Sequence, residues 1–325
     1  MRDQSLSALR AAPRAEPAVR VLLAAPRGFC AGVRRAIDAV EAALERYGAP
    51  VYVRRPIVHN LTVVRALEAK GAIFVEELDA VPDNAVVIMS AHGIPQRVAD
   101  EADRRDLTWF DAVCPLVSKV HREVVRHNKE GRHVILIGHR DHPEIAGTLG
   151  QIPEGAASVV ESAEQARQIN VPAGRAVAYA VQTTYSVDEA AVVIDALTKR
   201  FPNMAAPPGS DICYATTNRQ AAIRGIAADA DAIIVAGEHF SSNACRLAEV
   251  ARAAGCPSVQ LVADPDDLDL EALAGAATIG ITAAASTPDV TVRGIVDRLG
   301  IRFEIQVEEV AHLYEATQFK PVRIG

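Results

Sequence analysis

One pattern occurs three times along this chain, and it fixes most of what the chain can become. In each copy a short apolar stretch runs into a cysteine, a helix-forming stretch follows, and a β-branched run then ends in a polar turn. The three openings are VLLAAPRGFC ending at Cys30, WFDAVC ending at Cys114 and SDIC ending at Cys213. Behind Cys30, Val33, Ile37, Val40, Leu44 and Tyr47 recur at helical spacing before Gly48. Behind Cys114, Pro115 suits a first helical turn and Val117, Val120 and Val124 form a stripe; behind Cys213, Ile223, Ile226 and Ala230 do the same. The strands VYV, VILIG and AIIVAG then lead to His59-Asn60, His142-Pro143-Glu144 and Ser241-Ser242-Asn243. Later strands end at His92, at Thr183-Thr184 and at Ser286.

The spacing supports common descent of the three copies. It is 29 residues from Cys30 to His59, and 30 both from Cys114 to Glu144 and from Cys213 to Asn243. The next step drifts, with 33, 39 and 43 residues to His92, Thr183 and Ser286. A kept order with drifting loops marks related supersecondary units. The reading is therefore an α/β fold of three pseudo-repeated units, 19–113, 114–212 and 213–305. A mobile Ala/Arg/Pro-rich tail, 1–18, precedes them, and a C-terminal tail, 306–325, is expected to pack on unit 1. Ligands of open α/β sheets gather at the carboxyl ends of strands. Units packed about a pseudo-three-fold axis with those ends inward would bring three thiols together inside a polar ring.

Composition narrows the function. Of 325 residues, 50 % are apolar and 23 % charged, the balance of a globular protein rather than a disordered one. No apolar run approaches the ~20 residues of a membrane helix, and the first residues lack the apolar core of a secretory signal, so a cytoplasmic location is expected. A net charge of −7 without a Lys/Arg block argues against nucleic acid. Five cysteines, an odd number, in such a chain favour metal or redox chemistry over disulfides.

A single cysteine at a strand end is more often a small buried hydrophobe than a ligand. Three at equivalent positions make ligation the better reading for Cys30, Cys114 and Cys213, whereas Cys245 and Cys256 occupy no repeated position and read as structural. Three thiolates suit a zinc ion, or a cubane iron–sulfur cluster with one iron left free by the protein. The polar turns hold His59, His92, His142, Glu144, Thr183, Ser241, Ser242, Asn243 and Ser286. Such residues often only cap helices. Together with helix N-terminal amides they are also what a diphosphate needs in a site without lysine. Glu144 is the only carboxylate among them; beside a bound anion its pKa should rise, making it a proton donor, and the alternative is a surface ion pair. The other histidines fall outside the repeated turns, and Gly28–Gly32 is no dinucleotide fingerprint.

Longer motifs add a resemblance. PRGFCAGVRRAI, IVHN around His59, SAHG around His92, DAVCPLVSKVH, GHRDHPEIAGTLGQ, QTTYSVDE, DICYATTNRQ, SSN at 241–243 and ITAAASTP follow one another without a missing block. In these the chain resembles the LytB family of iron–sulfur reductases, the 4-hydroxy-3-methylbut-2-enyl diphosphate reductases that end the non-mevalonate route of isoprene biosynthesis. The resemblance implies a trefoil of three α/β units around a [4Fe-4S] cluster held by Cys30, Cys114 and Cys213. The unligated iron of such a cluster is open to loss in air, leaving [3Fe-4S] or apo protein. It implies substrate binding by His59, His92, His142, Thr183, Ser241, Ser242, Asn243 and Ser286, and a catalytic set of Glu144 with Thr183 and His142. The implied reaction is a reductive dehydroxylation giving isopentenyl and dimethylallyl diphosphates, with electrons from ferredoxin or flavodoxin.

The chain departs from the family pattern at GEHF (Gly237–Phe240), where small polar residues are usual, and at Ala284, where glycine is usual. Two rival readings accompany this one. They are a three-cysteine zinc hydrolase, in which the metal activates water, and a non-catalytic iron–sulfur or isoprenoid-diphosphate sensor.

Overall fold

Three separate parallel sheets, each flanked by helices, make up the molecule. The computed structural model describes residues 18–325, so the expected mobile tail lies outside the described residues except for Ala18. The chain opens with β1 (Val19–Ala25), passes Cys30 and enters α1 (Ala31–Tyr47). Then come β2 (Val51–Arg54), α2 (Leu61–Glu68), β3 (Ala72–Val75), β4 (Val86–Met89), α3 (Gln96–Arg104) and β5 (Thr108–Asp111). After Cys114 follow α4 (Pro115–Lys129), β6 (His133–Ile137), α5 (Pro143–Leu149), β7 (Ala157–Val160), α6 (Ala163–Gln168), β8 (Val177–Val181) and α7 (Val187–Arg200). After Cys213 follow α8 (Tyr214–Ala227), β9 (Ala232–Ala236), α9 (Ser242–Ala253), β10 (Ser258–Val262), β11 (Thr278–Ala283), α10 (Asp289–Arg302) and β12 (Ile305–Ala311).

The strand orders β3-β2-β4, β7-β6-β8 and β10-β9-β11 share one topology. In each, the first strand after the cysteine-bearing helix takes the middle place. Its composition explains this: β6 (HVILI) and β9 (AIIVA) are buried along their whole length, as central strands covered on both faces must be. Helix α1 buries Gly32, Ala36, Ala39, Val40 and Ala43. These small side chains let it lie close against the core that holds Val51, Val53 and Ile88.

The strands that lead into the cysteines do not join the sheets of the helices they precede. Strand β5, before Cys114, extends the first sheet beside β4. Strand β1, before Cys30, lies in the third sheet between β11 and β12, with Leu22 opposite Gly280 and Glu308. The segment SDIC forms no strand; the approach to Cys213 meets the second sheet's backbone ladder at an isolated bridge between Ala178 and Ala205. Pro207, Pro208 and Gly209 precede it and cannot sustain a ladder. Asp211 instead accepts the Val181 N–H at 3.0 Å and pairs with Lys119 at 3.2 Å. Each cysteine is thus handed over from the preceding unit's sheet, and the third unit hands over to the first.

The C-terminal tail divides. Strand β12 closes the edge of the third sheet, where Glu308 and Glu309 pair with Arg20 and Arg27, charges that discourage edge-to-edge association. Only Val322 and Ile324 reach the core of unit 1. No helix among the described residues is long and apolar enough to cross a membrane.

Candidate functional site

Cys30, Cys114 and Cys213 are the N-cap residues of α1, α4 and α8, and none of their sulfurs is used as the cap. Each thiol therefore lies at the positive end of a helix, that of Cys213 3.3 Å from the Thr216 hydroxyl. Their backbones are pinned alike: the Cys114 N–H donates to the Ala91 carbonyl at 2.9 Å, that of Cys213 to Thr183 at 3.0 Å and that of Cys30 to Ala285 at 3.2 Å. In every case the acceptor belongs to the last polar turn of the preceding unit. Asn60, His142 and Ser241 start α2, α5 and α9, and all three do cap, accepting the amides of Val63, Glu144 and Ala244.

These turns meet in one cleft. Cys30, Cys114, Cys213, His59, His92, His142, Glu144, Thr183, Ser241, Ser242, Asn243 and Ser286 all line it, so the structure brings together every site residue expected from the sequence. Val33, Val58, Leu116 and Val117 supply apolar wall. Cys245 and Cys256 do not line the cleft: the Cys245 thiol donates to the His239 carbonyl, and Cys256 packs in the third unit's core.

The sulfur-bearing part of the cleft fits a cluster. A Cβ on Gly32 would lie 2.7 Å from the Cys114 Sγ and 3.8 Å from the Cys30 Sγ, so glycine is what leaves room for those thiols. Burial pushes the Cys114 thiol up to about 12 and the Cys213 thiol to about 11, and charge on the neighbouring thiols pushes both further the same way. Thiolates here need a cationic partner to form. Among the described residues no three His, Cys, Asp or Glu side chains are set to hold a single metal ion. Three thiols spaced around a cleft instead suit a polynuclear iron–sulfur cluster with one iron unligated by protein.

The imidazoles form a close group: ring centroids of His59 and His92 are 4.1 Å apart and tilted, while His59 and His142 at 5.3 Å and His92 and His142 at 5.9 Å meet edge-on. Burial lowers the pKa of His59 to about 4 and of His142 to about 3, and lowers that of His92 well below the usual imidazole range. All three are neutral at pH 7. Because His142 Nδ1 accepts the Glu144 amide at 3.2 Å, its proton sits on Nε2. That Nε2, His59 Nε2 and both amide atoms of Asn243 are buried without a hydrogen-bond partner. Buried polar atoms are ordinarily satisfied, so these mark where a polar ligand belongs.

Glu144 is 2 % exposed and held at both oxygens by Thr183. The Thr183 amide donates to Oε1 and its hydroxyl to Oε2, each at 2.7 Å. Burial raises its pKa to about 7 against the lowering effect of those two bonds. The expected cause is a bound anion; burial is the main cause here, and the charge of Asp211 adds to it. The Thr183 carbonyl accepts the Cys213 N–H and the Thr216 hydroxyl, joining the carboxyl to the third cysteine.

Several contributors were not read from the sequence. Gln182 donates to Thr184, whose hydroxyl donates to Ser242 at 3.3 Å. The Ala31 amide donates to the Tyr214 hydroxyl, linking the Cys30 and Cys213 helices. Arg219, fully buried, donates to the Gly28 carbonyl and pairs with Glu315. The QTT and CYATTNR motifs contain these side chains but do not reveal their partners.

Comparison with known proteins agrees with this geometry. A family model described as LytB protein matches residues 21–300. The chain is 52 % identical to the 4-hydroxy-3-methylbut-2-enyl diphosphate reductase of Phenylobacterium zucineum, covering 94 % of this chain and 96 % of that one. It is 51 % identical to the reductase of the same name from Ruegeria pomeroyi, over 93 % and 96 %. The solved E-1-hydroxy-2-methyl-but-2-enyl-4-diphosphate reductase of Plasmodium falciparum superposes with a TM-score of 0.89 at 37 % identity, over 94 % of this chain and 95 % of that one.

Proposed function

The chain belongs to the LytB family, and on that premise we propose that it reduces (E)-4-hydroxy-3-methylbut-2-enyl diphosphate to isopentenyl and dimethylallyl diphosphates. The reaction takes up two electrons and two protons, breaks the allylic C–O bond, forms a C–H bond and releases water. The observation that carries the reading is the presence, in one cleft, of three free thiols at helix N-termini and of buried donors that lack protein partners.

Cys30, Cys114 and Cys213 hold a [4Fe-4S] cluster. When bound, it supplies the electrons, received from ferredoxin or flavodoxin, and a Lewis-acidic iron. The protein's own residues do the rest. His142 Nε2–H, His59, His92, Asn243, Ser242 and Ser286 receive the diphosphate, and the helix starts at α2, α5 and α9 favour its charge. Val33, Val58, Leu116 and Val117 enclose the five-carbon chain and exclude water. Held at both ends, the substrate is positioned for reaction without further loss of freedom. Glu144, its pKa raised to about 7 by burial, donates the proton that lets the hydroxyl leave as water. When Glu144 is protonated, the 2.7 Å contact lets its O–H donate to Thr183 Oγ1, leaving the threonine's own proton for the cleft.

Anaerobic iron and sulfide analysis, combined with turnover on a chemical reductant, tests this. Brown protein with about four irons per chain that releases both five-carbon diphosphates is the expected result. Colourless protein with bound zinc, or a brown protein that binds substrate and returns it unchanged, would refute it.

A further inference from the structure

The segment Gly237–Phe240 joins β9 to α9 as a tight turn, the Ser241 amide donating to the Glu238 carbonyl at 3.0 Å. Gly237 is required there, since a Cβ would come within 2.7 Å of Ala244 and 3.1 Å of Ala284. The turn projects two side chains onto the first unit. Glu238, 6 % exposed, accepts the N–H of Leu61, the first residue of α2, through Oε1 at 2.9 Å. The Phe240 ring meets His59 edge-on, centroids 6.0 Å apart at 77°. On the far side, the Ser286 hydroxyl donates to the His59 carbonyl at 3.1 Å.

We infer that Glu238 and Phe240 are positioning residues that set the place of His59, and through it the grip on the substrate's diphosphate. The inference rests on the reading above that this cleft binds a diphosphate. A helix leaves its first amides unpaired. Asn60 satisfies that of Val63, and Glu238 satisfies that of Leu61, two residues after His59. The turn that carries His59 is thereby tied to the third unit rather than left to its own sheet. Phe240, 49 % exposed, closes the outer side of the His59 ring, whose Nε2 remains free for a ligand. An acidic side chain near a diphosphate is electrostatically unfavourable, so what Glu238 contributes is its acceptor geometry and not its charge.

Substitution separates the two. Glu238→Gln keeps a carbonyl acceptor for the Leu61 amide and removes the charge; Glu238→Ala removes both. Calorimetric binding of inorganic diphosphate to anaerobic holoenzyme, with steady-state turnover on a chemical reductant, reads the outcome. Glu238→Ala is expected to weaken diphosphate binding and raise KM by up to about tenfold, with kcat little changed, the upper end of what one ordinary buried hydrogen bond contributes. Glu238→Gln should bind as tightly as the wild type or more so. Phe240→Ala, an exposed position that threatens the fold less, should weaken binding in the same sense, with iron content and melting temperature as controls. Unchanged binding in both alanine variants overturns the inference. So does equal weakening by Gln and Ala at Glu238, since charge would then be what matters. Wild-type protein that binds no diphosphate would instead overturn the reading beneath it.

Discussion

Replacing Glu144 with glutamine should abolish most turnover and yet make the protein harder to unfold at alkaline pH. Burial lifts this carboxyl from 4.5 to about 7, which at 1.36 kcal/mol per pKa unit corresponds to about 3 kcal/mol between its two protonation states. The sign follows from the direction of the shift. A folded-state pKa above the unfolded one means that the fold favours the protonated form. That contribution is complete below about 4.5 and is lost as pH rises through about 7. Glutamine has no proton to lose, keeps an oxygen for the Thr183 amide, and can donate to the Thr183 hydroxyl. Between about pH 5.5 and about pH 8.5 the stability of the variant relative to the wild type should therefore improve by roughly 2 kcal/mol. This would be read as a melting-temperature gap that moves a few degrees in the variant's favour. The activity loss should be about 10²- to 10⁴-fold, the usual contribution of a positioned acid. Wild-type turnover should decline above about pH 7 as Glu144 ionises, and the residual activity of the variant should lack that limb. Parallel melting curves at both pH values, or a near-native rate in the variant, would show that Glu144 is neither held protonated by burial nor part of the proton path.

Other tests address the remaining parts of the site. Gly32→Ala places a carbon 2.7 Å from the Cys114 sulfur, so anaerobically purified variant should carry much less iron and sulfide per chain than wild type. His59, His92 and His142 are neutral in the free protein, and a diphosphate beside them raises their proton affinity. Binding of inorganic diphosphate at pH 7.5 should therefore take up protons, seen as a buffer-dependent heat; zero uptake would contradict it. Truncation after His312 removes Glu315 and leaves the guanidinium of Arg219 buried with less compensation, a defect worth about 3 kcal/mol. The truncated protein should melt several degrees lower and lose iron sooner.

The site was more legible in the sequence than the way the units join. Cys30, Cys114 and Cys213 share a local rule, a polar or thiol residue just before a helix, and such rules survive any rearrangement of sheets. The same holds for the histidine, threonine and serine turns. Strand β1 reads as part of the unit whose helix it precedes, because nothing in VLLAA says that its neighbours are β11 and β12, more than 250 residues away. SDIC looked like its counterparts, but Asp211 turns into polar contacts that only the folded second unit supplies. The buried Arg219 and the Glu238–Leu61 contact were invisible for the same reason, since each is a pairing across units.

The circular hand-over of strands also bears on synthesis. The ribosome delivers β1 first and both its neighbours last, so the third sheet stays open until almost the whole polypeptide has emerged. The Cys30 amide likewise waits for Ala285. Contacts of this sequence separation form late, so the surroundings of Cys30 are completed after those of Cys114, whose amide needs only Ala91.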